Sequence, residues 1–305
     1  MNKIATYITL LLTVIGIFVT AATATDWLWQ VTDTIHADGE PSWSPDGTMI
    51  TFSSDRGGFF DIWVIPAGGG TATPITNNTA TDACPYWSPD GTTIAYHSDA
   101  GGNNDIWTVP AGGGTPTQVT TDPGDDYDPC WSADGTSIAF DSNRSGNYDV
   151  WVIPAGGGTA VQVTTDPAED VHPTWSPDGA TIAFESDRSG NHDIWAIPAG
   201  GGTAVNVTAD PSQDTRPSWA PDDTNIAFAS DRSGGEDIWT IPPGGGTAVQ
   251  ITTDDGSDWF PRWSHCSTKI AFNSDRSGNE DIWVIVPNHA VIEPASLGNL
   301  KAMFR

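Results

Sequence analysis

The 305-residue chain has 39 acidic against 11 basic residues and a formal net charge of −28 at pH 7, so it lacks the basic footprint that nucleic acid or an anionic membrane surface requires. Acidity of this order reads as disorder where aromatics are scarce, but 15 tryptophans exclude that reading. The three cysteines, Cys84, Cys130 and Cys266, cannot all pair within one chain, so no disulfide framework is expected to hold the fold.

In chain order, Lys3 precedes an apolar run that ends near Ala22, and Ala22-Thr23-Ala24 is a small-residue cleavage pattern. Residues 1–24 are therefore expected to be a signal peptide cut after Ala24, giving a secreted or periplasmic protein with no stable membrane insertion after cleavage. The run approaches the roughly 18 to 20 residues that span a bilayer, so an uncleaved anchor is the alternative.

From residue 25 to 287 the chain repeats itself. One tryptophan series stands at Trp43, Trp87, Trp131, Trp175, Trp219 and Trp263, a second at Trp63, Trp107, Trp151, Trp195, Trp239 and Trp283, and both step by 44 residues. A period in the forties with several short β segments per unit is the signature of a propeller blade. Within the unit that starts at Pro173, a Pro-x-Trp-Ser strand meets the Pro177-Asp178-Gly179 turn. An alternating strand follows at Thr181–Glu185, then a Ser-Asp-Arg-Ser-Gly-Asn loop, the Asp193-Ile194-Trp195 strand, a triple-glycine turn and a fourth strand. The sixth unit lacks its fourth strand, but Thr32 lies 11 residues before Trp43, as Thr76, Thr120, Thr164, Thr208 and Thr252 lie before theirs. The reading is an all-β fold: a single six-bladed β-propeller of four-stranded antiparallel blades. Residues 29–32 supply the outer strand of the last blade and close the ring. The twelve periodic tryptophans are expected to pack between strands and blades, with a ladder of ligand-stacking platforms as the alternative.

The pattern Pro-x-Trp-Ser-Pro-Asp-Gly, Ile-Ala-Phe-x-Ser-Asp-Arg-x-Gly, Asp-Ile-Trp and Gly-Gly resembles the repeats of the TolB-like propellers (WD40-like, or PD40, repeats) over about residues 29–287. The resemblance implies a periplasmic or secreted propeller that binds other proteins. TolB itself works with a peptidoglycan-associated lipoprotein and carries an α/β domain ahead of its propeller. Here only Thr25 to Leu28 would separate the cleavage site from the closing strand, so a role in the Tol system is not expected. Similar repeats occur in propellers fused to prolyl oligopeptidase-type hydrolases and in oligogalacturonate lyases, but no Gly-x-Ser-x-Gly elbow is present and no histidine-rich metal site is evident. The tail, residues 288–305, resembles a degenerate PEP-CTERM sorting segment through Val291, Glu293, Pro294, Ala295, Ser296 and Leu297, with Ile292 where its first proline belongs.

In a propeller the Pro-Asp-Gly and triple-glycine turns emerge on one monotonous rim, and the Ser-Asp-Arg loops and blade linkers on the other, which varies from blade to blade. On that variable rim one series does not vary: Asp38, Asp82, Asp126, Asp170, Asp214 and Asp258. Six carboxylates at a ring mouth would suit Ca²⁺; the alternative is that each caps its strand or pairs with a loop arginine. No other cofactor is expected. Three residues before each first-series tryptophan the position reads Glu40, Cys84, Asp128, His172, Arg216 and Phe260; one before it, Ser42, Tyr86, Cys130, Thr174, Ser218 and Arg262. Glu40, Asp128, His172, Arg216 and Arg262 are the candidate polar site, and Phe59, Phe60, Trp259 and Phe260 a candidate aromatic patch near the ring seam with Tyr127 further round; the alternative is that these aromatics plug the gap where the ring is sealed.

The function expected is a non-catalytic binding module presenting its variable rim to a protein or polysaccharide at the cell envelope, without affinity for nucleic acid. The alternative is a metal-dependent lyase or hydrolase with its site in the funnel, His172 serving as base beside Arg216.

Overall fold

The computed structural model describes residues 28–287; the expected signal peptide and sorting tail lie outside them. Six four-stranded antiparallel sheets follow one another. In blade 1 the strands are Asp38–Trp43, Met49–Ser54, Asp61–Pro66 and Thr73–Pro74, and blade 4 has Asp170–Trp175, Thr181–Ser186, Asp193–Pro198 and Val205–Asn206 at the same places. The first strand of each blade packs against the first strand of the next, and that of blade 6 against that of blade 1, so the first strands form a closed inner ring.

Closure follows the expected route. Leu28–Gln30 pairs antiparallel with Asp281–Ile285 of blade 6, Trp29 opposite Val284. Val31 N–H donates to Ile282 O at 2.8 Å, and Thr32 Oγ1 accepts from Ile282 N at 2.9 Å while donating to Asp281 Oδ1 at 3.1 Å. The same threonine-to-aspartate link recurs within blades, as from Thr120 to Asp105 and from Thr164 to Asp149. The aspartate that opens each third strand is thus a hub for the fourth. Trp29 Nε1 reaches into blade 1, donating to Ala67 O at 3.0 Å.

The repeat's apolar letters explain the core. Phe52, Tyr96, Phe140, Phe184, Phe228 and Phe272, the aromatic of each second strand, are buried. The first-series tryptophans sit between blades: Trp43, Trp131 and Trp175 donate through Nε1 to Arg262 O, Tyr86 O and Cys130 O of the preceding blade's inner strand, at 3.1 to 3.2 Å. Burying such an indole contributes several kcal/mol, roughly 25 cal/mol per Å² of apolar area removed from water.

On the turn rim, Asp46 accepts from Ser44 Oγ at 2.6 Å and from Thr48 N and Oγ1 at 3.0 and 2.8 Å. These bonds, that of Ser44 foremost, lower its carboxyl to about 2. Asp90, Asp134 and Asp178 repeat the arrangement, so much of the acidity is turn chemistry.

Candidate functional site at the channel mouth

The conserved letters of the variable rim are structural. Asp38, Asp126, Asp170, Asp214 and Asp258 each accept both oxygens' bonds from a loop arginine of their own blade, Arg56, Arg144, Arg188, Arg232 and Arg276, at 2.6 to 2.7 Å. Each of these arginines also stacks on two rings of its blade; Arg188 lies 5.3 Å from the centroid of Phe184 and 4.9 Å from that of Trp195. In blade 2 the arginine is replaced by Ala100, and Asn78 Nδ2 donates to Asp82 Oδ2 at 2.7 Å instead. The six aspartates considered above for Ca²⁺ are therefore engaged one by one within their blades. Among the described residues their oxygens do not gather into a metal-ligand cluster.

The candidates that do come together are the residues three before each first-series tryptophan. In every blade the register between first and second strands shifts at this point, as between Gly39 and Ser42 or Val171 and Thr174. Glu40, Cys84, Asp128, His172, Arg216 and Phe260 all have left-handed φ, between 49 and 58°. Each precedes a proline, which has no N–H for the ladder, so the strand bulges. Left-handed backbone at a non-glycine residue costs about 1 kcal/mol or more, and this ring holds six such residues. The effect is to turn the six side chains toward the ring axis. The ring of His172, in blade 4, meets that of Phe260, in blade 6, edge-on at 6.2 Å, and the Arg216 guanidinium lies over Phe260 at 4.3 Å.

A second ring lies behind the first, and sequence reasoning missed it. Ser53, His97, Asp141, Glu185, Ala229 and Asn273 occupy the variable letter of Ile-Ala-Phe-x-Ser, and all are buried. The signal was present: a polar or charged letter beside the most buried aromatic in every repeat but the fifth, which has Ala229. These residues tie blades together by accepting the next blade's bulge amide. Asn273 Oδ1 takes Glu40 N–H at 2.9 Å, Asp141 Oδ1 takes His172 N–H at 3.2 Å, and Glu185 Oε2 takes Arg216 N–H at 3.1 Å.

Together the rings build a charge relay around His172. Its Nε2 is 3.4 Å from Asp128 Oδ2, its Nδ1 2.9 Å from Glu185 Oε2, and Glu185 Oε1 lies 2.8 Å from His192 Nδ1. Burial alone would lower the imidazole, but the Asp128 and Glu185 carboxylates raise it to about 9. Burial would raise Glu185, yet the His172 charge and its hydrogen bonds hold the carboxyl well below its usual range. Burial, and then the charge of Asp128, push the Asp141 carboxyl up. The sequence reading set only Arg216 beside His172; the fold gives it two carboxylate partners. With both ring nitrogens engaged, however, His172 has none free to take a substrate proton.

This pairing predicts a pH dependence. The raised His172 contributes stability that is fully present below its ordinary 6.5 and lost as pH rises through about 9, a loss of about 3 kcal/mol. The depressed Glu185 contributes stability present above its ordinary 4.5 and lost as pH falls further. Urea denaturation in metal-free buffer should therefore show a decline from pH 6.5 to 9 that His172→Gln flattens.

The remaining candidates separate. Arg262 is half-buried, its Nη1 donating to Pro217 O and Pro261 O at 3.3 Å beside the Tyr86 ring, so it braces blades 5 and 6 rather than standing free at the rim. Trp259 packs on the blade 6 core. Tyr127 lies edge-on to His97 at 4.9 Å and accepts from Asn104 Nδ2 at 2.8 Å. Phe59 and Phe60 are exposed on the blade 1 loop, while Phe260, expected beside them at the seam, turns into the channel.

The TolB β-propeller domain family matches residues 30–140 and 74–182, together half of the chain. The chain belongs to this family. The N-terminal propeller domain of tricorn protease also matches, over residues 147–236. No significant match was found among curated proteins. Among solved structures, the chain is similar to a protein assigned as TolB from Agrobacterium tumefaciens (20% identity, TM-score 0.68, covering 85% of this chain and 96% of that one). It is also similar to an oligogalacturonate lyase from Vibrio parahaemolyticus (13%, 0.62, 88% and 96%) and to a gluconolactonase from Xanthomonas campestris (13%, 0.67, 85% and 88%). At these identities the likeness is one of fold. Among the described residues no helix is long and apolar enough to cross a membrane.

Proposed function

We propose that this TolB-type propeller is a secreted or periplasmic binding module that holds a carboxylate-bearing segment of a protein or polysaccharide partner in its channel mouth. The observation that carries the reading is Arg216. Five other arginines are tied to buried aspartates, whereas Arg216 makes no ion pair among the described residues. Its Nε is buried without a hydrogen-bond partner, and its guanidinium rests on Phe260. A guanidinium fixed on an aromatic face with an unsatisfied N–H is prepared for a bidentate carboxylate. Glu280, on the blade 6 loop and near enough to Glu40 and Arg216 to feel both charges, disfavours a second anion and favours a ligand with one acidic group. The lyase or hydrolase reading is the weaker one, since His172 has no free nitrogen to act as base.

The test is calorimetric titration with envelope-derived acidic peptides and oligogalacturonides, comparing the natural chain with Arg216→Gln. Photo-crosslinkers placed at Phe59 and, on the opposite rim, at Gly200 locate the surface used. Binding that Arg216→Gln weakens at least 10-fold, with crosslinks from position 59 alone, supports the reading. Crosslinks from position 200 alone, binding indifferent to residue 216, or turnover of the oligosaccharide would overturn it.

A further inference from the structure

Within the second ring one polar residue does not do the ring's structural work. Asn273, Ser53, Asp141 and Glu185 each accept the bulge amide of the following blade. His97 stands in the same place in blade 2, only 8% exposed, yet its Nδ1 is buried with no hydrogen-bond partner. Next to it Asp128 Oδ1 is also buried and unpartnered, while Oδ2 faces His172. The third neighbour is Cys84. The sulfur of Cys84, one ring nitrogen of His97 and one carboxylate oxygen of Asp128 all lie within 4.8 Å of one another. Among the described residues no other three such groups gather in this way.

We propose that Cys84, His97 and Asp128 bind a zinc-class divalent cation at the channel mouth. The donor set decides the class of ion. Ca²⁺ and Mg²⁺ take oxygen ligands, whereas thiolate with imidazole and one carboxylate suits zinc or cobalt. Metal–ligand bonds of about 2.0 to 2.3 Å put tetrahedral ligand atoms about 3.3 to 3.8 Å apart. Side-chain rotation of about 1 Å closes the present triangle. The edge-on ring of Tyr127 supports the His97 imidazole from outside, and His172 orients Asp128 through the oxygen the metal does not need. Three protein ligands leave a fourth position for water or a ligand atom. The site draws on two variable letters of the repeat, that of residues 84 and 128 in the first ring and that of residue 97 in the second, and no other pair of blades combines cysteine, histidine and aspartate there. It goes beyond the recognition reading and does not depend on it, since the ion binds whether or not Arg216 takes a carboxylate.

Co²⁺ titration of the reduced, chelator-stripped full chain tests this. One Co²⁺ per chain is expected, with a near-ultraviolet thiolate-to-cobalt charge-transfer band and displacement by Zn²⁺. Cys84→Ser should abolish the band, and His97→Gln should lose stoichiometric binding, while Cys266→Ser keeps both. X-ray absorption of the zinc-loaded natural chain needs no variant and should show one sulfur neighbour. Absence of stoichiometric binding, an all-oxygen and nitrogen shell, or a band that survives Cys84→Ser would overturn the proposal. Failure of the Arg216→Gln experiment would leave it standing.

Discussion

Replacing Arg188 with alanine should destabilise the protein by about 3–5 kcal/mol, because it leaves a fully buried carboxylate without its partner. The Asp170 side chain is wholly inaccessible, and Arg188 Nη2 donates to both of its oxygens at 2.6 Å. Even with the arginine in place, burial pushes the Asp170 carboxyl up. Without it the carboxyl rises further, so the loss should be smaller in acid and grow as pH rises. The substitution also removes the guanidinium from between Phe184 and Trp195. Blade 2 supplies the internal control. It has Ala100 where the others have arginine, and it satisfies Asp82 through Asn78. The residue at that place in blade 4 is Asp166, 3.9 Å from Arg188. Adding Asp166→Asn to Arg188→Ala should therefore recover part of the loss, which urea denaturation of both variants beside the natural chain would read. Equal stability of the single and double variants would mean that blade 2 is held by something other than its asparagine.

Removing the closing strand should have the largest effect of all. A chain that begins at Asp33 loses the partner of Asp281–Ile285, the Thr32 hydroxyl that serves Asp281, and the Trp29 indole that reaches into blade 1. Asp281, Ile282 and Val284, all buried in the closed ring, would then lie along an open sheet edge. Loss of a core tryptophan costs about 3–5 kcal/mol, and the half-buried Trp29 contributes part of that. With the orphaned carboxylate and lost ladder bonds, the total is comparable to the whole stability of a typical domain, about 5–15 kcal/mol. The expected result is loss of a cooperative melt, with association through the exposed edge visible by light scattering. A peptide spanning residues 25–36 should restore the melt in trans. A truncated chain that remained monomeric with an unchanged melt would show that the ring does not need this strand.

The blade count, the strand order and the closing strand were all legible in the letters, because a 44-residue period without insertion admits one sheet repeated six times. The tryptophan series could be read as scaffold for the same reason: a residue that recurs in every blade answers to a need every blade has. The site was legible only in part. Glu40, Asp128, His172, Arg216 and Phe260 were found because they break the repeat at a fixed letter, yet nothing in the letters showed that a bulge before each proline turns them inward. Of the two readings of the six aspartates, Ca²⁺ ligands or caps paired with a loop arginine, the geometry of five blades matches the second, since a desolvated carboxylate takes the nearest guanidinium, while Asp82 takes the Asn78 amide.

What sequence alone determined about this protein is its periodic part: local propensity, turn chemistry and burial act within one blade and are written into each copy. Tertiary structure decided everything that crosses from one blade to another. His172 acquires Asp128 from blade 3, Arg216 acquires Phe260 from blade 6, and His97 and Cys84 of blade 2 meet Asp128 of blade 3. Packing of neighbouring blades brings residues 44 apart in sequence within a few ångströms, ring closure does the same for blades 6 and 1, and the chemistry at the mouth depends on those distances.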